Sequence, residues 1–300
     1  RQTGMTPPEN PSNLSAATHP FISIVIPCYE RPDDLRRCLQ SLCQENQRGS
    51  PPYEIIVSDD SRTDNCKKLV EQEFPLAKWD SGKRNGPGGN RNAGVSRAAG
   101  EWIVFIDDDC IAQKGYLTAY FRAIQENPGV DLFEGYISPD RPKRTWAETC
   151  PENSTGGMFW TSNLCVRKEV FDEFDGFDET FKVAYEDVDF AYRLQKEEKK
   201  TLFVKDAVAC HPWRTLKNKG NNWKPKGFEW EELKLFLNKH PNADEHNAPT
   251  IYARHLLRMT TKDLCHCIIK FRCRGLAVLL GQIHVTFSIM IRLINKKFFA

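Results

Sequence analysis

A run of β-branched and aromatic residues drives straight into three carboxylates at Glu101-Trp102-Ile103-Val104-Phe105-Ile106-Asp107-Asp108-Asp109-Cys110, and this stretch constrains the chain more than any other. An apolar run of this length and composition reads as a strand covered on both faces, the habit of a parallel sheet. Three adjacent carboxylates at its end repel one another and lose hydration unless a cation sits among them. Open α/β sheets bind ligands at that carboxyl edge. On an extended chain Asp107 and Asp109 project to the same side, where they offer hard oxygen ligands to Mg²⁺ or Mn²⁺, ions that usually also hold substrate phosphates. The stretch therefore predicts a metal-diphosphate site; the plainer alternative is a solvated acidic turn.

The surrounding pattern predicts a wound α/β sheet. Phe21 to Ile26 reads as a first strand stopped by Pro27, and Asp33-Asp34 as the cap of a helix with Leu35, Leu39 and Leu42 at helical spacing. Pro51-Pro52 precede a second strand, Glu54 to Ser58, which again ends in acids, Asp59-Asp60. From Lys83 to Gly100 a glycine-rich basic loop leads into a short helix. Gly86, Gly88 and Gly89 permit close backbone approach there, and Arg84 or Arg91 can take a phosphate bidentately, although the Lys-Ser/Thr ending of a P-loop is missing. Further on come a helix from Tyr116 to Glu126, a strand from Val130 to Gly135, an irregular stretch over 141–151, and an apolar segment, Met158 to Val166, with Asn163 embedded in it. A short helix, Lys168 to Phe174, follows. Helical periodicity resumes at Asp187, so that Glu186 and Asp187 sit at a helix start, where the macrodipole favours ionised carboxylates. The strand Thr201 to Ala209 delivers His211 just past its end.

With 300 residues, 40% of them hydrophobic, the chain can bury the core of one large domain or two small ones. Its net charge of +2 hides an asymmetry: residues 251–300 carry nine Lys/Arg against one acid, Asp263, so the tail is +8 and the rest −6. An anionic partner for the tail follows, membrane or nucleic acid. Gly275 to Ile291 is apolar but interrupted by Gln282, His284, Thr286 and Ser288, with Arg272, Arg274, Arg292, Lys296 and Lys297 beside it. That is short and polar for a spanning helix, and it predicts an interfacial helix drawn to an anionic membrane surface rather than to nucleic acid. An ordinary packed helix is the alternative. Eleven cysteines without a CxxC pair indicate reduced thiols in a reducing compartment, and Cys265-His266-Cys267 with Cys273 lacks the spacing of a zinc site.

In order along the chain stand Ile-Pro-Cys-Tyr-Glu-Arg, Val-Ser-Asp-Asp-Ser-Arg-Thr-Asp, Arg-Asn-Ala-Gly before Phe-Ile-Asp-Asp-Asp, Gly-Phe-Asp-Glu, and Tyr-Glu-Asp-Val-Asp-Phe-Ala-Tyr-Arg-Leu. This set resembles the family 2 glycosyltransferases of the GT-A fold, inverting enzymes that use nucleotide-sugar donors, over Phe21 to His211. The resemblance implies a Rossmann-like, mostly parallel sheet flanked by helices, with a C-terminal helical extension. It implies a catalytic domain over 21–213, with a nucleotide half (21–110) and an acceptor half (111–213). A flexible lead-in (1–20) precedes it, and a linker with a short helix (214–250) and a basic amphipathic tail (251–300) follow. By the same resemblance Pro27, Tyr29 and Glu30 meet the nucleotide base, with Asp59 accepting from a uracil-type ring. Arg91 faces the diphosphate, Asp107 and Asp108 the donor, and Asp109 is the principal metal ligand, with His211 a further metal or diphosphate contact. Asp187 is the implied catalytic base and Glu186 its acceptor-binding neighbour. Ser61 stands where the family commonly has Gly, and Cys28 and Glu30 replace commoner Thr and Asn.

The expected activity is transfer of a hexose from a nucleotide-sugar, UDP-linked by preference, to a hydroxyl of a glycan or lipid-linked acceptor, with Mg²⁺ or Mn²⁺. The expected place is the cytoplasm, peripheral on the inner face of the membrane. Two other readings compete: a sugar-phosphate nucleotidyltransferase, whose chemistry needs no base at an acceptor hydroxyl, and a non-catalytic nucleotide-sugar-binding or membrane scaffold protein. The sequence names neither the sugar, the acceptor nor the oligomeric state.

Overall fold

The computed structural model describes residues 19–215, 227–241, 243 and 256–298. Four parallel strands, β1 (Ile22–Cys28), β2 (Tyr53–Asp59), β3 (Ala77–Ser81) and β4 (Trp102–Ile106), lie in the order β3-β2-β1-β4. The helices α1 (Pro32–Ser41), α2 (Asn65–Glu73) and α3 (Gly86–Val95) connect them. The winding direction reverses between β1 and β4, so a crevice opens beyond the ends of these two strands. All five side chains of β4 are buried, as its unbroken apolar run requires. Ile24, Ile26, Val104 and Ile106 face a core with α1, α2 and α4 (Tyr116–Glu126), while Val25, Ile103 and Phe105 face Phe171, Phe177 and Phe190 on the other side.

Beyond β4 the sheet becomes mixed. After the short β5 (Ile111–Ala112) come β6 (Leu132–Pro139), β7 (Glu148–Thr149), β8 (Asn163–Arg167), α5 (Lys168–Glu173), α6 (Glu186–Lys196), β9 (Thr201–His211) and β10 (Arg214–Thr215). Strand β8 inserts antiparallel between β4 and β6, β9 lies parallel to β6, and β5 closes the edge. The β6–β9 ladder breaks register at Gly135/Tyr136. Asn163 fills that break: its amide donates to Tyr136 O and Ala207 O at 2.9 Å, and its Oδ1 accepts from the hydroxyls of Tyr116 and Tyr120. A polar residue embedded in an apolar segment is thus a fully satisfied buried junction.

Several expectations need correction. Strand β1 runs through Pro27 to Cys28, because its ladder to β4 ends at Val25 and the missing N–H of Pro27 breaks no pairing. Asp33 and Asp34 do not cap α1; Arg31 is its N-cap, and the two acids occupy the first turn, where the dipole favours them. The glycine-rich segment is mostly the helix α3 itself. A Cβ on Gly94 would stand 2.5 Å from Val25 Cγ1, so small residues let this helix lie close against β1. Residues 141–151 include the short strand β7, paired with β10.

The C-terminal segment packs against the Phe181 segment, α6 and the turn at Trp146. It comprises α7 (Gly227–Lys239), a π-helical turn (Met259–Asp263), α8 (Leu264–Ile269) and α9 (Leu276–Phe298). Ile289 joins Phe181, Leu233, Phe236 and Leu237 in one cluster, and Leu279 and Cys267 pack with Trp146, whose N–H donates to Arg274 O. One apolar stripe of α9 is therefore covered by protein, while Leu280, Phe287 and Ile291 stay exposed. No helix among the described residues is long and apolar enough to cross a membrane. Residues 1–18 of the expected lead-in, 216–226 and 244–255 of the expected linker and tail, and the side chains of Arg292, Lys296 and Lys297 lie outside the described residues.

Candidate active site

The three aspartates leave β4 in a turn, not an extended strand: Cys110 N donates to Asp107 O at 3.0 Å. The carboxylates therefore splay to three different partners instead of sharing one side. Asp107 accepts from Arg91 Nη2 at 2.7 Å, Asp108 from Arg31 Nη1 at 3.1 Å, and Asp109 from Arg31 Nη1 at 3.4 Å and from Arg214 Nη2. The repulsion anticipated from the sequence is relieved by arginines. Burial pushes the Asp108 carboxyl up to about 6, against the pull of Arg31. Arg31 and Arg214 escaped sequence reasoning. Arg31 follows the strand-end motif directly, and Arg214 has no signal beyond being a basic residue three past His211.

His211, the last residue of β9 rather than a residue past its end, brings Nε2 to 3.5 Å from Asp109 Oδ1. Its Nδ1 lies 2.7 Å from Pro212 O, so the N–H on that side donates to the carbonyl and Nε2 is left to face the carboxylate. Cys110 Sγ belongs to the same buried cluster, with ligand atoms within 4.8 Å of one another. A carboxylate and an imidazole aimed at one point fit Mn²⁺ or Mg²⁺ completed by donor oxygens.

Opposite this rim begins α6. Arg91 Nη1 donates to Glu186 Oε1 at 2.9 Å, so one buried guanidinium ties Asp107 to the helix start. Burial raises Glu186 to about 7, with Arg91 opposing, and burial likewise raises the neighbouring Asp187. Asp187 is half-buried and accepts from Val188 N at 2.8 Å. Arg91, expected against the diphosphate, thus spends two of its nitrogens within the protein. Among the described residues, Arg91 Nε, Glu186 Oε2 and Asn90 Oδ1 are buried without a partner, and Asn90 and Arg91 line the crevice.

The crevice, about 870 Å³, is lined by Pro27, Tyr29, Asp60, Arg84 and Lys182 besides the rim residues. Tyr29 is half-exposed, with its ring free to face a base. Asp59 does not line it: its Oδ1 accepts from Ser61 N at 2.9 Å and its Oδ2 from Trp79 Nε1 at 3.0 Å. Glu30 is likewise occupied, accepting from Arg62 N, Thr63 N and Thr63 Oγ1. Asp60, adjacent to Asp59, reaches the crevice instead and accepts from Arg84 N at 2.8 Å. Glu30, Arg84 and Tyr185 take left-handed φ values of 53°, 53° and 75°. Strain of order 1 kcal/mol each at non-glycine residues is typical of sites that hold ligands. At Gly86, φ +88°, a Cβ would meet Lys182 O at 2.6 Å, so glycine lets the start of α3 touch the segment that leads into α6.

Comparison with known proteins agrees with this geometry. The family described as glycosyl transferase family 2 matches residues 23–185. Glycosyltransferase AglE of Haloferax volcanii is 26% identical over 214 residues, 66% of this chain and 69% of the relative. The GalNAc(5)-diNAcBac-PP-undecaprenol beta-1,3-glucosyltransferase of Campylobacter jejuni is 30% identical over 112 residues, 36% of this chain and 35% of the relative. Among solved structures, S. aureus TarS 1-349 in complex with UDP-GlcNAc superposes with a TM-score of 0.55 at 22% identity, over 74% of this chain and 67% of that one. Another TarS crystal structure has only 44% of its chain covered. At these identities the TarS likeness concerns the GT-A fold alone.

Proposed function

The chain belongs to glycosyl transferase family 2, and from that membership we propose that it moves a hexose from a UDP-sugar to a hydroxyl of a glycan or lipid-linked acceptor, with inversion. The observation that carries the reading is Arg91, which lines the crevice and joins Asp107 of the acidic rim to Glu186 at the start of α6, so the candidate base Asp187 stands next to a side chain tied to that lining. The UDP-GlcNAc bound by TarS supports a uridine nucleotide, and the undecaprenol-linked substrate named for the Campylobacter relative supports a lipid-linked acceptor.

In this reading Tyr29 stacks on the base, and the cationic lining of Arg84, Lys182 and Arg214 receives the diphosphate. Asp109 and His211 would hold Mn²⁺ or Mg²⁺, which supplies positive charge to the departing diphosphate. Asp187 accepts the proton of the attacking acceptor hydroxyl from the side of the sugar opposite the leaving group, giving one displacement and inversion. Glu186, largely protonated below about 7, donates to an acceptor oxygen beside it. Exposed Ile268 and Ile269, close in sequence to the exposed Lys270, Arg272 and Arg274, and exposed Leu280 and Phe287 on α9 support a peripheral seat on an anionic, cytoplasmic membrane face.

Calorimetric titration with a panel of nucleoside diphosphates, in Mn²⁺ or in EDTA, tests the donor site. The expected result is metal-dependent binding that selects UDP and is lost by at least about tenfold in Asp109→Ala. Metal-independent binding unaltered by that substitution would move the donor site away from the acidic rim.

A further inference from the structure

Asp109 is not waiting with free oxygens. Its Oδ2 is closed by Arg214 Nη2 and lies 3.4 Å from Arg31 Nη1, while its Oδ1 faces His211. The carboxylate is nearly inaccessible, at 3% exposure, but the two guanidiniums keep 45% (Arg31) and 41% (Arg214). The groups able to leave are therefore the arginines. The backbone of Arg214 is fixed, since β10 pairs Arg214 with Thr149 and Trp213 Nε1 donates to Arg141 O at 2.5 Å. Only the side chain has to move.

Charge accounting shows what that motion accomplishes. Asp107, Asp108 and Asp109 match Arg91, Arg31 and Arg214 in charge, and Glu186 beside Arg91 and Asp34, 3.9 Å from Arg214, add further carboxylate, so each of these arginines already has an anionic partner. A divalent ion arriving alone would add two positive charges beside two guanidiniums that have lost their carboxylate. A diphosphate arriving alone would face carboxylates whose arginines are already engaged. Arriving together, the two ligands offset each other's charge and give each arginine a new anionic partner.

We propose that Arg214 is an exchangeable counter-charge: it neutralises Asp109 in the ligand-free protein, yields that carboxylate to the divalent ion, and turns onto the donor diphosphate. Metal and nucleotide consequently bind with positive cooperativity, and Arg214 is the positioning residue that supplies most of it beyond the direct attraction between metal and phosphate. The proposal rests on the donor-site reading above and adds to it a residue and an order of events.

The test is calorimetry on the full chain with MnCl₂ alone, UDP alone, and each in the presence of the other, for wild type, Arg214→Ala and the charge-retaining Arg214→Lys. Because the cooperativity factor is the same measured from either ligand, the four titrations check one another. Arg214→Ala should bind Mn²⁺ alone about tenfold more tightly than wild type, bind UDP in saturating Mn²⁺ about tenfold more weakly, and lose most of the cooperativity, with Arg214→Lys in between. Circular dichroism melting confirms that the variants are folded, and Arg214→Gln replaces the alanine variant if it is not. Cooperative binding in wild type that persists unchanged in the folded variant would overturn the role of Arg214 while leaving the donor site intact. Absence of Mn²⁺ binding in both wild type and variant would overturn the metal site and this inference together.

Discussion

Asp108 and Asp109 meet Arg31 and Arg214, whose side chains are nearly half-exposed, whereas Asp107 and Glu186 share Arg91, whose side chain is 6% exposed. The chemistry of the two sets is the same, and burial makes them different objects. Exposed pairs in contact with water contribute about 0–1 kcal/mol and can be exchanged for a ligand. A buried guanidinium shared by the buried Glu186 and the partly exposed Asp107 cannot be removed without stranding charge. The half-exposed arginines suit exchange for a ligand, and the buried one suits a bracket that ties the start of α6 to the end of β4.

The largest effect expected from that contrast is at Arg91. Arg91→Ala should lower stability by about 3–5 kcal/mol in urea unfolding, and Arg91→Lys should recover little because one ammonium cannot reach both carboxylates in fork geometry. Arg31→Ala, by comparison, should cost less, about 1–3 kcal/mol, because the guanidinium is half-exposed although the Asp108 it leaves is nearly buried. Equal losses at the two positions would erase the distinction.

A middle-sized effect is set by pH. Glu186 titrates at about 7 in the folded chain against an ordinary value of 4.5, so the folded state holds this proton more tightly than the unfolded one. Its contribution to stability is fully present below 4.5 and is lost as pH rises through 7. Glu186→Gln, which keeps a neutral side chain at every pH, should therefore gain stability relative to wild type by about 2–3 kcal/mol between pH 4.5 and pH 8.5. A pH-independent difference in urea midpoints would show that Glu186 is not held neutral by its burial.

Much of the parallel half of the fold was legible in the residues. Trp102 to Ile106 announces a doubly covered strand, Tyr116 to Glu126 carries its helix without ambiguity, and the acids after β2 and β4 mark the rim. What local pattern could not supply was long-range pairing. Arg31 meets Asp108 across 77 positions and Arg214 meets Asp109 across 105, and no periodicity encodes either contact. The same holds for Asp59, whose two oxygens are claimed by Ser61 N and by Trp79 from the next strand, and for Asn163, which is conspicuous in its apolar segment but unreadable until Gly135, Tyr116 and Tyr120 surround it. In the glycine-rich segment composition misled, because small residues served a helix packed tightly on β1. In the tail the amphipathic pattern was sound, yet it could not say that one stripe would be covered by Phe181 and Trp146.

The central claim is that the start of α6 supplies the base that deprotonates an acceptor hydroxyl attacking a donor bound on the acidic rim, and the most direct measurement is UDP release from a panel of UDP-hexoses, with glycan or lipid-linked acceptors present, by wild type and Asp187→Asn, with UDP affinity measured on the same preparations. The account predicts turnover lower by about 10²–10⁴-fold in the variant, with UDP affinity within about threefold of wild type. Turnover within tenfold of wild type, or turnover lost only in proportion to UDP affinity, would contradict it.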